Sequence, residues 1–317
     1  LSTLGLASYW IGKGGGTAIK EDLFDRSQKQ SLLIQRYDMA KEIDKNINDF
    51  KLINDKVGNN IATRDIPFKA KIFCKSDKEY DLNEAWGVLD SAIQNQIFPG
   101  AQIFISKSGE IIASKGVGFF TYDSLTQVNN NSIYDIASLT KVISTTPVTI
   151  KLISQNKLGI SYSIDQFYPI INNNEESNIT INHLLTHSSG MKPFIEFFLN
   201  EDMYSSRDDI ISKIIQEPLD FSPGSEFQYS DLGMILLKEI IETVSNSKID
   251  KLASSWFFKP LGMDNTHYNP STTLLDRIVP TEYDSIYRKE LVHGVVHDEN
   301  AHMLGGITGH AGLFSTA

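Results

Sequence analysis

The sequence predicts an α+β or mixed α/β fold with a helical subdomain, on two observations. A β-hairpin pattern occupies residues 101–118, and an almost wholly helical block runs from about residue 138 to 260. A short sheet followed by a helix-rich block is one of the few layer arrangements that bury the apolar faces of both kinds of element. Ahead of the hairpin, Leu82, Ala85, Trp86, Leu89, Ile93 and Ile97 recur at helical spacing and predict a helix over 81–97. Pro99-Gly100 breaks it. Ala101–Ser106 then reads as a strand, Ser108-Gly109 as its turn and Ile111–Gly118 as the returning strand. A loop with Asn129-Asn130-Asn131 leads to the apolar run Val142–Ile153, the first helix of the block.

Residues 1–75 differ from the rest and form a separate N-terminal segment of unassigned role. Gly12–Thr17 is a glycine run without the spaced glycine and Lys-Ser/Thr of a phosphate loop, so it reads as a linker. Leu32, Leu33, Tyr37, Ile43, Ile47 and Phe50 suggest a helix within 20–52, the end of another domain or a helical extension. Residues 76–317 make up the second unit.

The chain has 317 residues, 41% of them apolar, so a sizeable core is possible. Its formal charge of −10, without a basic stripe, argues against nucleic acid as a partner. Cys74 is the single cysteine, which excludes an internal disulfide framework and a cysteine metal cluster. No apolar stretch reaches the roughly 18 residues of a membrane span. The chain starts at Leu1 and has no Met there, so a fragment of a longer protein is expected at that end.

Ser138-Leu139-Thr140-Lys141 is the most informative stretch. A serine and a lysine three apart on a helix share a face, and a hydroxyl within reach of an amine is the minimum equipment for covalent acyl transfer. The pattern alone proves little: Ser-x-x-Lys also occurs at Ser154–Lys157, Ser189–Lys192 and Ser245–Lys248, and a bare match more often marks a solvated helix face. Further segments accompany it. In Phe221–Gly233, Pro223-Gly224 makes a turn, Asp231 is a good N-cap for the helix Met234–Ile241, and Tyr229 is left in the loop, where its hydroxyl can meet a lysine amine. Ile179–Gly190 holds Thr180 as a plausible N-cap and Gly190 as a stop. His183 and His187 lie four apart, but no glutamate stands beside the first histidine and no third ligand is evident, so neither metal nor cofactor is expected and His187 reads as a structural hydrogen-bonding residue. The last segments are Pro260–Met263, His297–Ala301 and Gly309–Ala317. His297 and Asp298 could suggest acid/base work, but adjacent side chains point apart.

In this order, Ala137–Lys141, Ile181–Gly190, Tyr229–Gly233 and Gly312–Ala317 resemble the penicillin-binding-type serine hydrolases: class C β-lactamases, D-alanyl-D-alanine peptidases and related esterases. The resemblance runs from about residue 80 to 317. It implies a β-lactamase/transpeptidase-like fold, a sheet flanked by helices with a helical subdomain and the site between them. It also implies roles: Ser138 as the acylated nucleophile, Lys141 as its hydrogen-bonded partner, Tyr229 as a proton relay, and Asp231 and His310 as substrate-binding residues. A serine at a helix N-terminus also feels the positive end of the helix dipole, and its own N–H can serve an oxyanion.

Two departures stand out. Asp231 occupies a position where the family often has Asn, which tilts away from efficient β-lactam hydrolysis. His310-Ala311-Gly312 matches the family's third motif by letter, yet Gly312–Ala317 looks like the segment ahead of a further helix. That motif is therefore expected beyond Ala317, with the chain cut short at this end too. The resulting expectation is a serine hydrolase of the bacterial periplasm or cell envelope, acting through an acyl-enzyme on a D-amino-acid peptide, a β-lactam or a small ester. The alternative is a binding or sensor module for penicillin or wall fragments that does not turn them over.

Overall fold

A computed structural model describes residues 74–75, 79–107, 110–168 and 178–317. The helix suggested within 20–52, the glycine run and the Ser108-Gly109 turn lie outside them. Strand β1 (Cys74–Lys75) pairs parallel with β3 (Glu110–Gly118), whose other edge takes β2 (Gly100–Lys107) antiparallel. The β2–β3 register runs from Gly100 opposite Gly118 to Lys107 opposite Glu110, with a shift between Ile105 and Ser106. Helix α1 (Asn83–Gln94) packs on β3. Leu82, Trp86, Leu89 and Ile93 are half-buried, but Ala85 and Ile97 are exposed. The helix ends at Gln94, and Gln96 takes a left-handed φ of 55°, which swings Ile97 off the predicted stripe.

Strand β4 (Tyr134–Asp135) leads through a turn into a helix whose first part, Lys141–Thr145, is a wide π-type turn and whose remainder is α2 (Thr146–Ser154). Pro147 in the first turn of α2 has no N–H to donate, so the regular ladder cannot run through it. Thr145 instead spends its hydroxyl on Gly309 O at 2.7 Å, a long-range bond that fixes the late loop to this helix. Helix α3 (Ile181–Leu185) starts with a capping box in which Thr180 accepts from the His183 N–H and His183 Nδ1 accepts from the Thr180 N–H. Thr180 is thus the N-cap the sequence predicts, and His183 is committed to it. Helix α4 (Arg207–Gln216) is capped by Ser206 and Asp209 in the same way.

Helix α5 (Asp231–Ser245) is the centre of the main core. Eleven of its fifteen residues are buried, so it is covered on all sides, unlike an ordinary two-faced surface helix. Leu232, Ile235, Leu236, Leu237, Ile240 and Ile241 join Leu152, Ile181, Leu184, Ile210, Ile214 and Phe258 in one cluster. The charges inside α5 are matched: Lys238 lies 3.1 Å from both Glu239 and Glu242, Glu242 also takes Lys248, and Glu239 takes Arg207. Its N-cap is Ser230, whose Oγ accepts from the Gly233 N–H at 3.2 Å; this corrects the expectation that Asp231 caps the helix. The one-residue shift places Asp231 in the first turn, with its carboxylate free of capping.

Helix α6 (Ile249–Ala253) continues into a second π-type turn, Ser254–Phe258. Beyond it come β5 (His267–Tyr268), the pair β6 (Tyr283–Asp284) and β7 (Glu290–Leu291), helix α7 (Glu299–Met303) and β8 (Leu313–Ser315). Strand β8 lies between β4 and β5, antiparallel to both. The last residues therefore sit against the strand that leads to Ser138. Among the described residues no helix is long and apolar enough to cross a membrane.

Gly190 is where the segment after α3 meets the loop before α5. Its φ is +79°, and a Cβ there would stand 2.0 Å from Phe221 O. Gly190→Ala is expected to lower the free energy of unfolding by at least about 2 kcal/mol in urea titration, from left-handed strain plus overpacking. Ser230→Ala removes both the cap and a 2.7 Å bond to Lys192 O, and is expected to cost about 1–2 kcal/mol in the same measurement.

Candidate active site

Ser138 sits in the turn between β4 and the Lys141 helix. Ala137, just before it, has φ 45°, a left-handed conformation uncommon for a residue with a side chain. Asp135 holds that turn. Its Oδ1 accepts from the Ala137 N–H at 2.7 Å and its Oδ2 from the His297 N–H at 2.7 Å. Burial raises the Asp135 pKa, and the two N–H donors pull against that rise. Leu139, Thr140 and Lys141 donate their N–H groups back to Ile136, Ala137 and Ser138. Among the described residues the Ser138 N–H takes no partner, so it is available to an oxyanion.

Lys141 Nζ donates to Ser138 Oγ at 2.8 Å and to the His310 carbonyl at 3.0 Å. Asp231 Oδ1 lies 2.7 Å from the same nitrogen, off the hydrogen-bond direction, and so acts as an ion-pair partner. On the remaining side the ammonium stands over the Tyr229 ring, 4.7 Å from its centre. The lysine side chain is 4% exposed, so these contacts replace its water. The sequence suggests the amine as partner of the Tyr229 hydroxyl; the structure sets the ammonium over the ring. Tyr229 itself is 42% exposed.

The other three Ser-x-x-Lys matches are used differently. Ser154 and Ser245 donate to the carbonyls of Lys151 and Ile241, while Lys192 pairs with Glu217 and Lys248 with Glu242. Ser138, Lys141, Tyr229 and Asp231 are brought together. His310 contributes only its carbonyl: its ring is 1% exposed, with Nε2 2.9 Å from Asp298 Oδ1 and Nδ1 3.0 Å from Thr308 Oγ1. That occupied ring does not reach a substrate as a side chain of the cleft would. Asp298, which caps α7, is drawn down to a pKa of about 2, burial being outweighed by His310, the Ala301 N–H and Lys141. His297 turns instead to Glu282 at 2.9 Å, so the adjacent pair diverges. Gly309 allows this loop to come close, since a Cβ there would stand 2.1 Å from Met234 O.

His187 Nδ1 accepts from the Ser230 N–H at 3.1 Å, and its ring lies 4.5 Å from that of Tyr229. Burial, and then Lys141, push its pKa down to about 4. The two histidines four apart thus serve different neighbours. Among the described residues no group of three or more His, Cys, Asp or Glu side chains is arranged to hold a metal. Asp135 and the His310 carbonyl were not singled out by sequence reasoning. An Asp two residues before a backbone N–H is a local turn signal that could have found the first; nothing local marks the second.

The Salmonella typhimurium (strain LT2) protein named "Putative D-alanyl-D-alanine carboxypeptidase" is 29% identical over 261 residues, covering 72% of this chain and 60% of that protein. The chain therefore spans about three fifths of such relatives. Among solved structures, "EstCE1, a hydrolase with promiscuous acyltransferase activity" aligns with a TM-score of 0.59 at 21% identity, covering 74% of this chain and 69% of its own. The penicillin-binding protein homologue of Pyrococcus abyssi gives 0.58 at 22%, covering 75% and 54%. A class C β-lactamase of Rhodobacter sphaeroides gives 0.58 at 17%, covering 74% and 62%. These likenesses show the fold. The model of the family described as "Beta-lactamase" matches residues 88–317, well over half of the sequence, and the chain belongs to that family.

Proposed function

We propose that the protein is a serine hydrolase that forms an acyl-enzyme at Ser138 from an amide or ester and passes the acyl group to water. The observation that carries this reading is the 2.8 Å contact between Lys141 Nζ and Ser138 Oγ within a nearly dry set of partners. The ammonium steadies negative charge on Oγ as the hydroxyl proton departs, and Tyr229 relays that proton to the leaving nitrogen or oxygen. Oγ bonds to the substrate carbonyl carbon, and the Ser138 N–H receives the carbonyl oxygen as it becomes an oxyanion. Collapse expels the amine or alcohol; water then adds to the acyl carbon, giving up a proton, and the bond from Oγ to that carbon breaks, releasing the acid as Oγ takes a proton back.

The substrate class follows from charge. Asp231 already neutralises Lys141, so this pair offers no free cation to a substrate carboxylate and adds a carboxylate at the cleft. That weakens the hold on the carboxylate that β-lactams and peptides with a free C-terminal D-alanine both carry next to the reacting carbonyl, and it favours esters. A small ester is therefore the first substrate to test and a peptide ending in D-alanine the second, given the name its Salmonella relatives carry; a wall-related role in the cell envelope goes with the peptide.

A fluorophosphonate probe, with loss of HF, or a fluorescent penicillin, added whole by ring opening, is expected to add once to the intact protein, on Ser138. Ser138→Ala should abolish the adduct. A folded sample that neither probe labels, or an adduct that survives Ser138→Ala, contradicts the proposal. Tyr229→Phe keeps the ring over Lys141 and deletes only the hydroxyl, so it should slow acylation about 10²–10⁴-fold while leaving thermal unfolding unchanged. An unchanged acylation rate would remove Tyr229 from the mechanism.

A further inference from the structure

We infer that His187 is the positioning residue of Tyr229, holding the tyrosine by its backbone on both sides and by the face of its ring. This rests on the Ser138–Lys141–Tyr229 reading above. The residues flanking Tyr229 both bind this one histidine: the Gln228 N–H donates to the His187 carbonyl at 2.8 Å, and the Ser230 N–H donates to His187 Nδ1 at 3.1 Å. The two rings are tilted by 35° at a centroid distance of 4.5 Å. Phe227 stands edge-on to the same imidazole, 6.1 Å away. Phe227, Tyr229 and Ser230 are thus gathered around the imidazole, and the His187 backbone N–H donates to the Leu184 carbonyl near the end of α3.

The backbone of His187 is bent to allow this. Its φ is 54°, a left-handed value that Asn, Asp and His tolerate better than most residues with a side chain. Such strain persists only where the surroundings over-determine it, and it collects at functional sites.

The grip also fixes the protonation of the ring. Nδ1 accepts, so in the neutral imidazole the proton resides on Nε2. A second proton would set an N–H against the Ser230 N–H and a second cation near Lys141, with Asp231 the facing anion. Burial and Lys141 accordingly keep the ring neutral down to about pH 4. A leucine would fill the space but lose the acceptor, and an asparagine would keep an acceptor but lose the ring.

The test is a double-mutant cycle on the intact protein, with fluorophosphonate acylation rate and thermal unfolding as readouts. His187→Ala is expected to slow acylation about 10- to 100-fold, the range a misplaced catalytic group produces. His187→Asn should recover part of that loss, because its side-chain oxygen can take the Ser230 N–H. In a Tyr229→Phe background, His187→Ala should cost less than about twofold more, since interacting groups are non-additive. Should His187→Ala not fold, the cycle is run with His187→Asn. A full-sized further loss in the Tyr229→Phe background would show a merely structural histidine and overturn the inference, leaving the Ser138–Lys141–Tyr229 reading intact. A Tyr229→Phe protein as fast as wild type would overturn that reading and the inference with it.

Discussion

One buried ammonium draws together the side chains and loops around Ser138. Lys141 Nζ is held by a hydroxyl from the turn before its own helix, a carboxylate from the first turn of α5, an aromatic ring from the loop ahead of α5, and a backbone carbonyl from the loop before β8. A charge taken out of water is tolerable only when partners replace its hydration. Each partner must therefore come from a part of the chain that the fold already brings close. The rigid core helix α5 supplies Asp231, and β8, paired with β4, carries the preceding loop to the lysine. Thr145 and Thr140, bonded to Gly309 O and to the Leu313 N–H, pin the same loop to the Ser138 helix.

The strain in this region follows the same logic. Ala137 and His187 both take left-handed backbone conformations, one next to Ser138 and the other against Tyr229. Each such residue costs on the order of 1–3 kcal/mol unless it is locked by its neighbours. Asp135 locks the first through the Ala137 N–H, and the Gln228 and Ser230 N–H groups lock the second. The serine and the tyrosine are thus presented from bends rather than from the middle of regular elements.

Much of this was legible in the residues. The two hairpin strands and the Thr180 cap are local signals, and the structure has both where the sequence predicts them. Helical spacing permits the Ser138–Lys141 contact, but the same spacing at the other three Ser-x-x-Lys matches ends in different partners. Asp231 shows the limit of local reading: Ser230 and Asp231 are both good caps, and what decided between them was the buried lysine, which recruits the carboxylate and leaves the cap to serine. Ile97 failed for a neighbouring reason, because a left-handed Gln96 ended the stripe early. His310 was readable by its letters but not by its use. Its ring went to Asp298 and Thr308 and its carbonyl to the lysine, and backbone acceptors leave no trace in a sequence.

The most direct test of the Lys141 hub is a crystal structure of the protein after reaction with a fluorophosphonate. Phosphorus is expected bonded to Ser138 Oγ, with a phosphoryl oxygen on the Ser138 N–H and Lys141 Nζ still within about 3 Å of Oγ, the His310 carbonyl and Asp231. A lysine turned away to solvent in the adduct, or a probe attached to any other side chain, would contradict this arrangement.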